Sequence, residues 1–276
     1  MPYIQLAALL AALATVGPFS IDTYLPALHA IGEELNATPL EVQQTLTAYM
    51  LPMGAMVLWH GAFSDAWGRK PVIVVSMLLF ALASLVCVFA GSIETLLVGR
   101  ALQGISAGAG MVVGRAVVRD IMEGPRAQRL MSHVSMAFAL GPAIAPILGG
   151  WIHTAFGWRA VFVFLALLGL ALAALSAWRL AESHPVEARH PLHLRPLARR
   201  YRAVFASPGF LLLSIAVSLN FNGFFIYVLS APVFLMRHLG LGETEFGWMF
   251  IPGVIGMMAG SGLSARLAGR LSQART

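Results

Sequence analysis

Charged residues are scarce in this sequence. Only 11% of its 276 residues are charged and 58% are hydrophobic, whereas soluble domains usually carry about 25% charged residues. A globular chain of this length needs a polar surface that so few charged side chains could not provide. The low charge therefore excludes a soluble globular protein, and the high apolar content excludes a disordered one.

Patterns that support catalysis or metal binding are also missing. The sequence has a single cysteine, Cys87, so an internal disulfide is impossible, and its eight histidines follow no metal-site spacing. It contains no intramembrane Ser/His/Asp set, no His/Glu/His zinc pattern and no phosphate-binding glycine loop followed by Lys-Ser or Lys-Thr. We therefore expect no enzyme activity, no cofactor, no metal and no ATP site.

Long apolar runs are abundant, by contrast. Six runs lack Asp, Glu, Lys and Arg altogether, and they cover residues 42–64, 71–93, 130–158, 160–178, 209–236 and 246–265. Two more runs, 4–27 and 95–114, are each interrupted by one charge, Asp22 and Arg100 respectively. A helix needs about 20 apolar residues to cross a bilayer. The sequence therefore predicts eight membrane helices.

The basic residues are concentrated on one side of these helices. If the N-terminus is cytoplasmic, 15 of the 18 arginines and lysines fall in cytoplasmic segments. This bias follows the positive-inside rule and predicts that both termini lie in the cytoplasm. The net charge of +6 therefore reports topology, and we expect no nucleic-acid partner.

One long polar segment divides the chain. Arginine, histidine and proline cluster between the sixth and seventh predicted helices, where the other connections are short. We predict a six-helix transmembrane bundle over residues 1–178, a cytoplasmic linker over 179–208 and a partial second bundle, helices seven and eight, over 209–276.

The two parts resemble each other in sequence. Gly61, Gly68 and Arg69 recur as Gly262, Gly269 and Arg270, at a constant offset of 201 residues. A parallel repeat of six-helix halves is the plan of many secondary transporters. On that plan, the second half contains only two of its helices.

Four motifs carry a resemblance to a known family. Residues 61–71, GAFSDAWGRKP, resemble the loop signature of the major facilitator superfamily, although Ala66 replaces the usual basic residue. Three further motifs resemble the Bcr/CflA branch of drug:proton antiporters: DTYLPAL at 22–28, RALQG at 100–104 and GPAIAPILGG at 141–150. The resemblance covers helices one to eight. It implies an all-α membrane protein with the major facilitator fold, with a complete N-terminal six-helix bundle plus the first two helices of the C-terminal bundle, and truncated after helix eight.

The loop motif is a candidate gate. Its residues are Gly61, Asp65, Gly68, Arg69 and Lys70. Glycine permits close helix approach and tight turns, the aspartate can accept hydrogen bonds from a helix N-terminus, and the arginine can pair with a carboxylate across the cytoplasmic seam. The alternative is that Arg69 and Lys70 only anchor the topology.

Asp22 and Arg100 are the candidates for proton coupling. A charge at bilayer depth costs about 2.5–3.5 kcal/mol on insertion scales, so it is retained for a purpose or paired. Helix one runs outward and helix four runs inward, which places both residues at a similar depth near the outer side. Asp22 could titrate as a shared cavity alternates between dry and wet. The alternatives are a static ion pair between helices one and four, or simple exposure at the interface.

Helix five and the cavity lining complete the candidate site. The helix-five motif, which the resemblance makes a seal against leak, consists of Gly141, Pro142, Pro146, Gly149 and Gly150. Small residues and proline predict close packing and a bend, although ordinary helix packing would use them too. Candidates for contacting substrate are Tyr24, Tyr49, Gln103, Asn220, Asn222 and Tyr227.

Together these features predict a transporter that exports small lipophilic drugs or xenobiotics in exchange for protons. We expect alternating access in a bacterial-type inner membrane, with the lipid bilayer, protons and the substrate as partners and a monomeric state. An uptake permease for a small metabolite and a truncated, non-transporting membrane protein remain alternatives. Because the fold works with two six-helix bundles, we expect residues 1–276 alone not to transport.

Overall fold

A computed structural model describes residues 1–189, 192, 194–231, 234, 252–253, 255–256 and 259. The regular elements in these residues are α-helices and short 3-10 helices, which confirms the predicted all-α fold. The described helices divide between two compact units, with α1–α8 in the first and α9 and α10 in the second.

Over residues 1–189, the first unit contains eight α-helices. They are α1 (Tyr3–Asp22), α2 (Leu28–Glu34), α3 (Pro39–Trp67), α4 (Arg69–Val88), α5 (Ile93–Ala107), α6 (Ala109–Ile121), α7 (Gly124–Phe156) and α8 (Trp158–Arg179). Four segments are long and apolar enough to span a membrane, and two bent helix pairs bring the number among the described residues to as many as six. Exposed leucines such as Leu82 and Leu167, each about 60% exposed, suit helices that face lipid.

Local sequence signals set the helix ends. Thr38 and Glu41 form a capping box at the start of α3, in which Thr38 N donates to Glu41 Oε2 at 2.8 Å and Glu41 N donates to Thr38 Oγ1 at 3.3 Å. Ser92 caps α5 through a bond from Thr95 N. Gly68, with φ +100°, joins α3 to α4 without a longer loop.

Two predicted membrane helices are broken and one is bent. The first continues through a 3-10 turn, Leu25–Ala27, into α2, so it extends beyond its predicted end. The fourth is divided at Gly108 between α5 and α6. Helix α7 bends by 42° between the segments Arg126–Pro142 and Ile144–Phe156. Pro142 and Pro146 lie in this stretch of α7. Proline has no backbone N–H to donate within the helix, which accounts for the bend.

Among the described residues, three glycines bring a helix directly against the backbone of another segment. A Cβ atom added at Gly104 would collide with the Tyr49 carbonyl, and one at Gly110 would collide with the Leu13 carbonyl. A Cβ atom at Gly149 would collide with the backbone of Thr23. Backbone contact at small residues is the usual way in which membrane helices pack tightly.

The second unit contains α9 (Leu194–Phe205) and α10 (Pro208–Ala231). The segments Arg195–Phe205 and Pro208–Leu219 meet at an angle of 76°. Helix α10 contains most of predicted helix seven, whereas predicted helix eight lies largely outside the described residues.

Candidate functional site

Arg100 lies at the centre of a buried polar cluster in the first unit. Its side chain is 0% exposed. Nη1 donates to Gln103 Oε1 at 2.9 Å and to the carbonyl and hydroxyl oxygens of Ser20 at 3.3 Å. Nε and Nη2 have no hydrogen-bond partner among the described residues. Within the described part of the chain, two nitrogens of this buried guanidinium thus have no protein partner, an arrangement that is costly and rarely retained without a function.

Two tyrosine rings enclose the guanidinium group. Its Cζ atom lies 4.7 Å from the ring centroid of Tyr24 and 4.3 Å from that of Tyr49. Both distances are within the range of cation–π attraction. The rings stabilise the positive charge without supplying a counter-ion.

Each tyrosine hydroxyl is held by a neighbouring helix. Tyr49 donates to the Gly17 carbonyl oxygen at 2.9 Å. Tyr24 lies 2.7 Å from Thr45 Oγ1, which itself donates to the Val42 carbonyl oxygen, so the tyrosine is the donor. These bonds fix both rings between the first predicted membrane helix and α3.

Gln103 extends the cluster to α4. Its Nε2 donates to Ser84 Oγ at 2.7 Å, and Ser84 donates to the Phe80 carbonyl oxygen at 2.7 Å. Because the Gln103 amide oxygen accepts from Arg100, the amide orientation is defined by both neighbours. A continuous hydrogen-bonded path therefore joins α1, α5 and α4 around one charge.

Asp22 is buried in the same unit but does not pair with Arg100. It is the last residue of α1 and is 5% exposed. No salt bridge within 4.0 Å joins the two side chains, although both belong to the described residues. The static ion pair that the sequence left open is therefore absent in this conformation.

The predicted cavity residues have different surroundings. Tyr24, Tyr49 and Gln103 are 0% exposed, so they are packed inside the unit. Asn222 is exposed on α10, whereas the side chains of Asn220 and Tyr227 lie outside the described residues. A cavity of about 70 Å³ between α1, α6 and α7 is small beside the 300–1,000 Å³ of typical ligand pockets.

Arg69 is the centre of a second polar cluster, at the N-terminus of α4. Its Nε donates to Asp120 Oδ2 at 2.9 Å, Nη1 donates to Ser64 Oγ at 2.7 Å, and the guanidinium also pairs with Asp65. Ser183 donates to the same oxygen of Asp120 at 3.0 Å. The side chain is only 6% exposed. One guanidinium therefore ties together α3, α4 and α6.

A carboxylate from the segment after α8 caps α4. Arg69 N donates to Glu182 Oε1 at 2.9 Å and Lys70 N donates to Glu182 Oε2 at 3.3 Å. Arg189 lies 3.5 Å from the same carboxylate. A Cβ atom at Gly68 would collide with Glu182 and lie 2.7 Å from Arg189 Nη2. Glycine at position 68 is thus needed both for its backbone angle and for this contact.

The helix-five motif is divided between packing and bending. Gly149 contacts the Thr23 backbone closely, whereas nothing lies within 4 Å of a Cβ atom built at Gly141. Pro142 and Pro146 are both buried within α7, and Thr154 donates to the Gly150 carbonyl oxygen at 2.8 Å. The motif thus combines one tight helix contact with a bend.

A third cluster lies at the opposite end of the first unit. The Glu34 carboxylate accepts a hydrogen bond from Trp158 Nε1 at 2.6 Å and pairs with Arg159. Arg159 Nη2 donates to the Ala90 carbonyl oxygen at 2.9 Å, and its guanidinium stacks 4.1 Å from the Trp158 ring. We call Glu34, Trp158 and Arg159 the outer clamp.

The comparison with protein-family models identifies the fold family. The model described as Major Facilitator Superfamily matches residues 9–276. The chain belongs to the major facilitator superfamily. It is therefore a multi-pass membrane protein, as the apolar helices predicted.

Relatives and solved structures agree with this assignment. The chain is 33% identical to the bicyclomycin resistance protein homolog of Haemophilus influenzae, covering 92% of this chain and 64% of that protein. It is 31% identical to multidrug resistance protein D of Escherichia coli, covering 90% and 62%. The resemblance to the Bcr/CflA branch is thereby confirmed at the level of drug-resistance relatives. This major facilitator chain spans less than two thirds of the length of both relatives.

The fold is also that of solved members. A bacterial homolog of the human lysosomal transporter Spinster, inward-facing and occupied, matches with a TM-score of 0.75 at 19% identity, covering 99% of this chain and 63% of that chain. The human organic anion transporter MFSD10 matches with a TM-score of 0.69 at 19% identity, covering 96% and 73%. At this level of identity, the likeness establishes the fold.

The sequence reasoning did not identify several residues of these polar clusters. Asp120 and Glu182 complete the Arg69 cluster, and Ser20 completes the Arg100 cluster. Asp120 follows the fourth predicted helix, so its position could have suggested a partner for a loop arginine. The sequence gives no such signal for Glu182, which lies 113 residues from Arg69.

Proposed function

We propose that this major facilitator protein exports small lipophilic compounds across the inner membrane in exchange for protons, by alternating access. The observation that supports this most strongly is the buried Arg100, two of whose nitrogens have no hydrogen-bond partner among the described residues, on a membrane helix that contacts the helix carrying buried Asp22. Relatives named for resistance to bicyclomycin and to multiple drugs support export of drugs.

Asp22 is the proposed proton carrier. A carboxyl group that alternates between a dry and a hydrated environment binds a proton in one and releases it in the other. Because Asp22 has no basic partner within 4.0 Å among the described residues, its charge is not already neutralised by a fixed ion pair. The two free donors of Arg100 can meet an ionised carboxylate or a polar group of the substrate as the helices move.

The Arg69 cluster is the proposed cytoplasmic gate. It joins three helices and the segment after α8 through charge-assisted hydrogen bonds, which are about twice as strong as neutral ones. Breaking several such bonds together separates a closed state from an open one. With both termini in the cytoplasm, the gate lies on the side from which a drug enters.

The substrate class follows from the lack of other charges in the spans. Asp22 and Arg100 are the only charges in the eight predicted helices. A carrier of sugars or phosphates needs a denser polar lining, whereas lipophilic compounds need apolar and aromatic contacts with few polar groups. We also propose that the protein works as a monomer.

Drug-driven proton movement tests the function. The full-length protein is reconstituted into liposomes that contain a pH-sensitive dye, and a panel of lipophilic dyes such as ethidium is added. We expect proton movement opposite to the dye, with no response in protein-free liposomes. Dye transport without proton movement contradicts antiport, and dye and proton movement in the same direction indicates uptake.

A further inference from the structure

Helix α9 is a short, strongly basic helix in the segment that was predicted as a linker. Four of its twelve residues are arginine, at positions 195, 199, 200 and 202. The side chains of Arg195, Arg199 and Arg202 are exposed.

The apolar and basic residues of α9 fall on separate faces. At 3.6 residues per turn, five of the apolar residues after Leu194 share an arc of about 120°. We call them the apolar face: Leu197, Ala198, Tyr201, Val204 and Phe205. Three of the four arginines, Arg195, Arg199 and Arg202, lie within a neighbouring arc of about 60°, which we call the basic face. Val204 and Phe205 are 43% and 49% exposed, so α9 keeps a large apolar area uncovered.

The angle between α9 and α10 sets the orientation of both faces. Helix α10 is free of charge over 24 residues and is long enough to cross a bilayer. The chain turns by 76° between α9 and α10, so α9 lies close to the membrane plane when α10 spans the membrane. The Phe205 and Phe210 rings make an edge-to-face contact across this corner, with centroids 5.9 Å apart.

The charge pattern decides what this helix meets. Exposed arginines exclude α9 from the hydrocarbon interior, whereas an apolar face beside a basic face is the pattern of helices that lie in the membrane interface. A concave surface bordered by Arg195, Pro196, Arg199 and Ala203 presents two guanidinium groups, whose fork geometry matches phosphate oxygens.

We propose that α9 is a lipid-binding helix that inserts its apolar face among the headgroups and binds anionic phospholipid through its basic face. The lipid phosphates neutralise the arginines, and the acyl-chain boundary covers Leu197, Val204 and Phe205. The site holds the start of α10 at a fixed depth. This inference rests on α9 and α10 alone and does not depend on the transported substrate.

Site-specific fluorescence tests the proposal in the full chain. In a Cys87→Ala background, bimane is attached to Leu197→Cys or, as the matched position outside the apolar face, to Ala203→Cys. The protein is placed in nanodiscs of phosphatidylcholine alone or with phosphatidylglycerol. We expect anionic lipid to reduce iodide quenching roughly twofold at position 197 and much less at position 203.

Charge-matched variants identify the lipid contact. Replacing all three basic-face arginines by glutamine should abolish the effect of phosphatidylglycerol at position 197. Replacing Arg119, Arg126 and Arg129 by glutamine removes the same charge from another segment and should leave the effect intact. The proposal is overturned if both sets of variants lose the lipid effect equally, or if quenching at position 197 is the same in both lipids. It is also overturned if position 197 is equally protected from iodide in lipid-free detergent, because that result indicates a contact with protein.

Hydrogen exchange provides a measurement without labels. The unmodified chain should exchange the amides of residues 194–205 more slowly in nanodiscs with phosphatidylglycerol than in phosphatidylcholine alone. Exchange that does not depend on the lipid contradicts the proposal even if a labelled variant fails to fold.

Discussion

The Arg100 guanidinium carbon lies 4.3 Å from the centre of the Tyr49 ring, and the Tyr49 hydroxyl donates to the Gly17 carbonyl oxygen at 2.9 Å. One side chain thus stabilises the buried charge of α5 and at the same time bonds to the backbone of α1. Movement of either helix changes the environment of the charge, which couples helix packing to electrostatics in the first unit.

Substitutions of Tyr49 separate these two roles. Tyr49→Phe keeps the ring and removes one buried hydrogen bond, so we expect a loss of about 1 kcal/mol in the free energy of unfolding. Tyr49→Leu also removes the cation–π contact and should lose about 2 kcal/mol more. Unfolding of the purified protein in mixed micelles measures both. Equal losses would show that the ring does not stabilise Arg100.

Gly149 and Gly141 form a matched pair in α7. Gly149→Ala places a methyl group against the Thr23 backbone, so the helices must separate, at a cost of about 1–3 kcal/mol. Gly141→Ala meets nothing within 4 Å and should be neutral or stabilising by up to about 1 kcal/mol because alanine favours helix. Thermal unfolding in detergent compares them, and a more harmful change at position 141 would contradict this packing.

Glu182 should control the exchange of two amides at the start of α4. Glu182→Gln weakens the cap on Arg69 and Lys70, so their amide exchange should accelerate roughly fivefold, which corresponds to about 1 kcal/mol. Glu187→Gln removes the same charge from an exposed position of the same segment and serves as the control. Mass spectrometry of the peptide containing residues 69 and 70 gives the rates. Equal rates in the two variants would remove Glu182 from the gate.

The outer clamp should show energetic coupling between Glu34 and Arg159. Both side chains are partly exposed, at 51% and 36%, so we expect a coupling energy of only about 0.5 kcal/mol. A double-mutant cycle with Glu34→Gln and Arg159→Gln measures it. Fully additive effects on unfolding would mean that the ion pair contributes nothing beyond the Trp158 bond.

The sequence predicted most of the first unit because membrane helices leave a strong signal. Charge-free runs located α3, α4, α7 and α8, and the proline motif predicted the bend in α7. Arg100 was singled out because a charge at bilayer depth is costly without a function, and Arg69 was singled out because it belongs to the loop motif. These features depend on composition along the chain, which a sequence shows directly.

Features that depend on distant or irregular contacts were not predicted. No charged residue or proline lies next to Gly108 to signal the break there. The cap by Glu182 and the outer clamp join residues more than 110 positions apart. Helix α9 was hidden because arginine and proline in its sequence resemble a solvated linker. These features depend on which residues meet in three dimensions, and a single sequence does not show this.

Proton exchange by an Asp22 variant tests the central claim most directly. Asp22→Asn and the control Glu94→Gln each remove one carboxylate, and Glu94 is exposed in the first turn of α5. Both proteins are reconstituted at equal amounts, and drug-driven proton movement is measured with an internal pH dye. The account predicts that exchange is abolished in Asp22→Asn and unchanged in Glu94→Gln. Undiminished exchange by Asp22→Asn would contradict it.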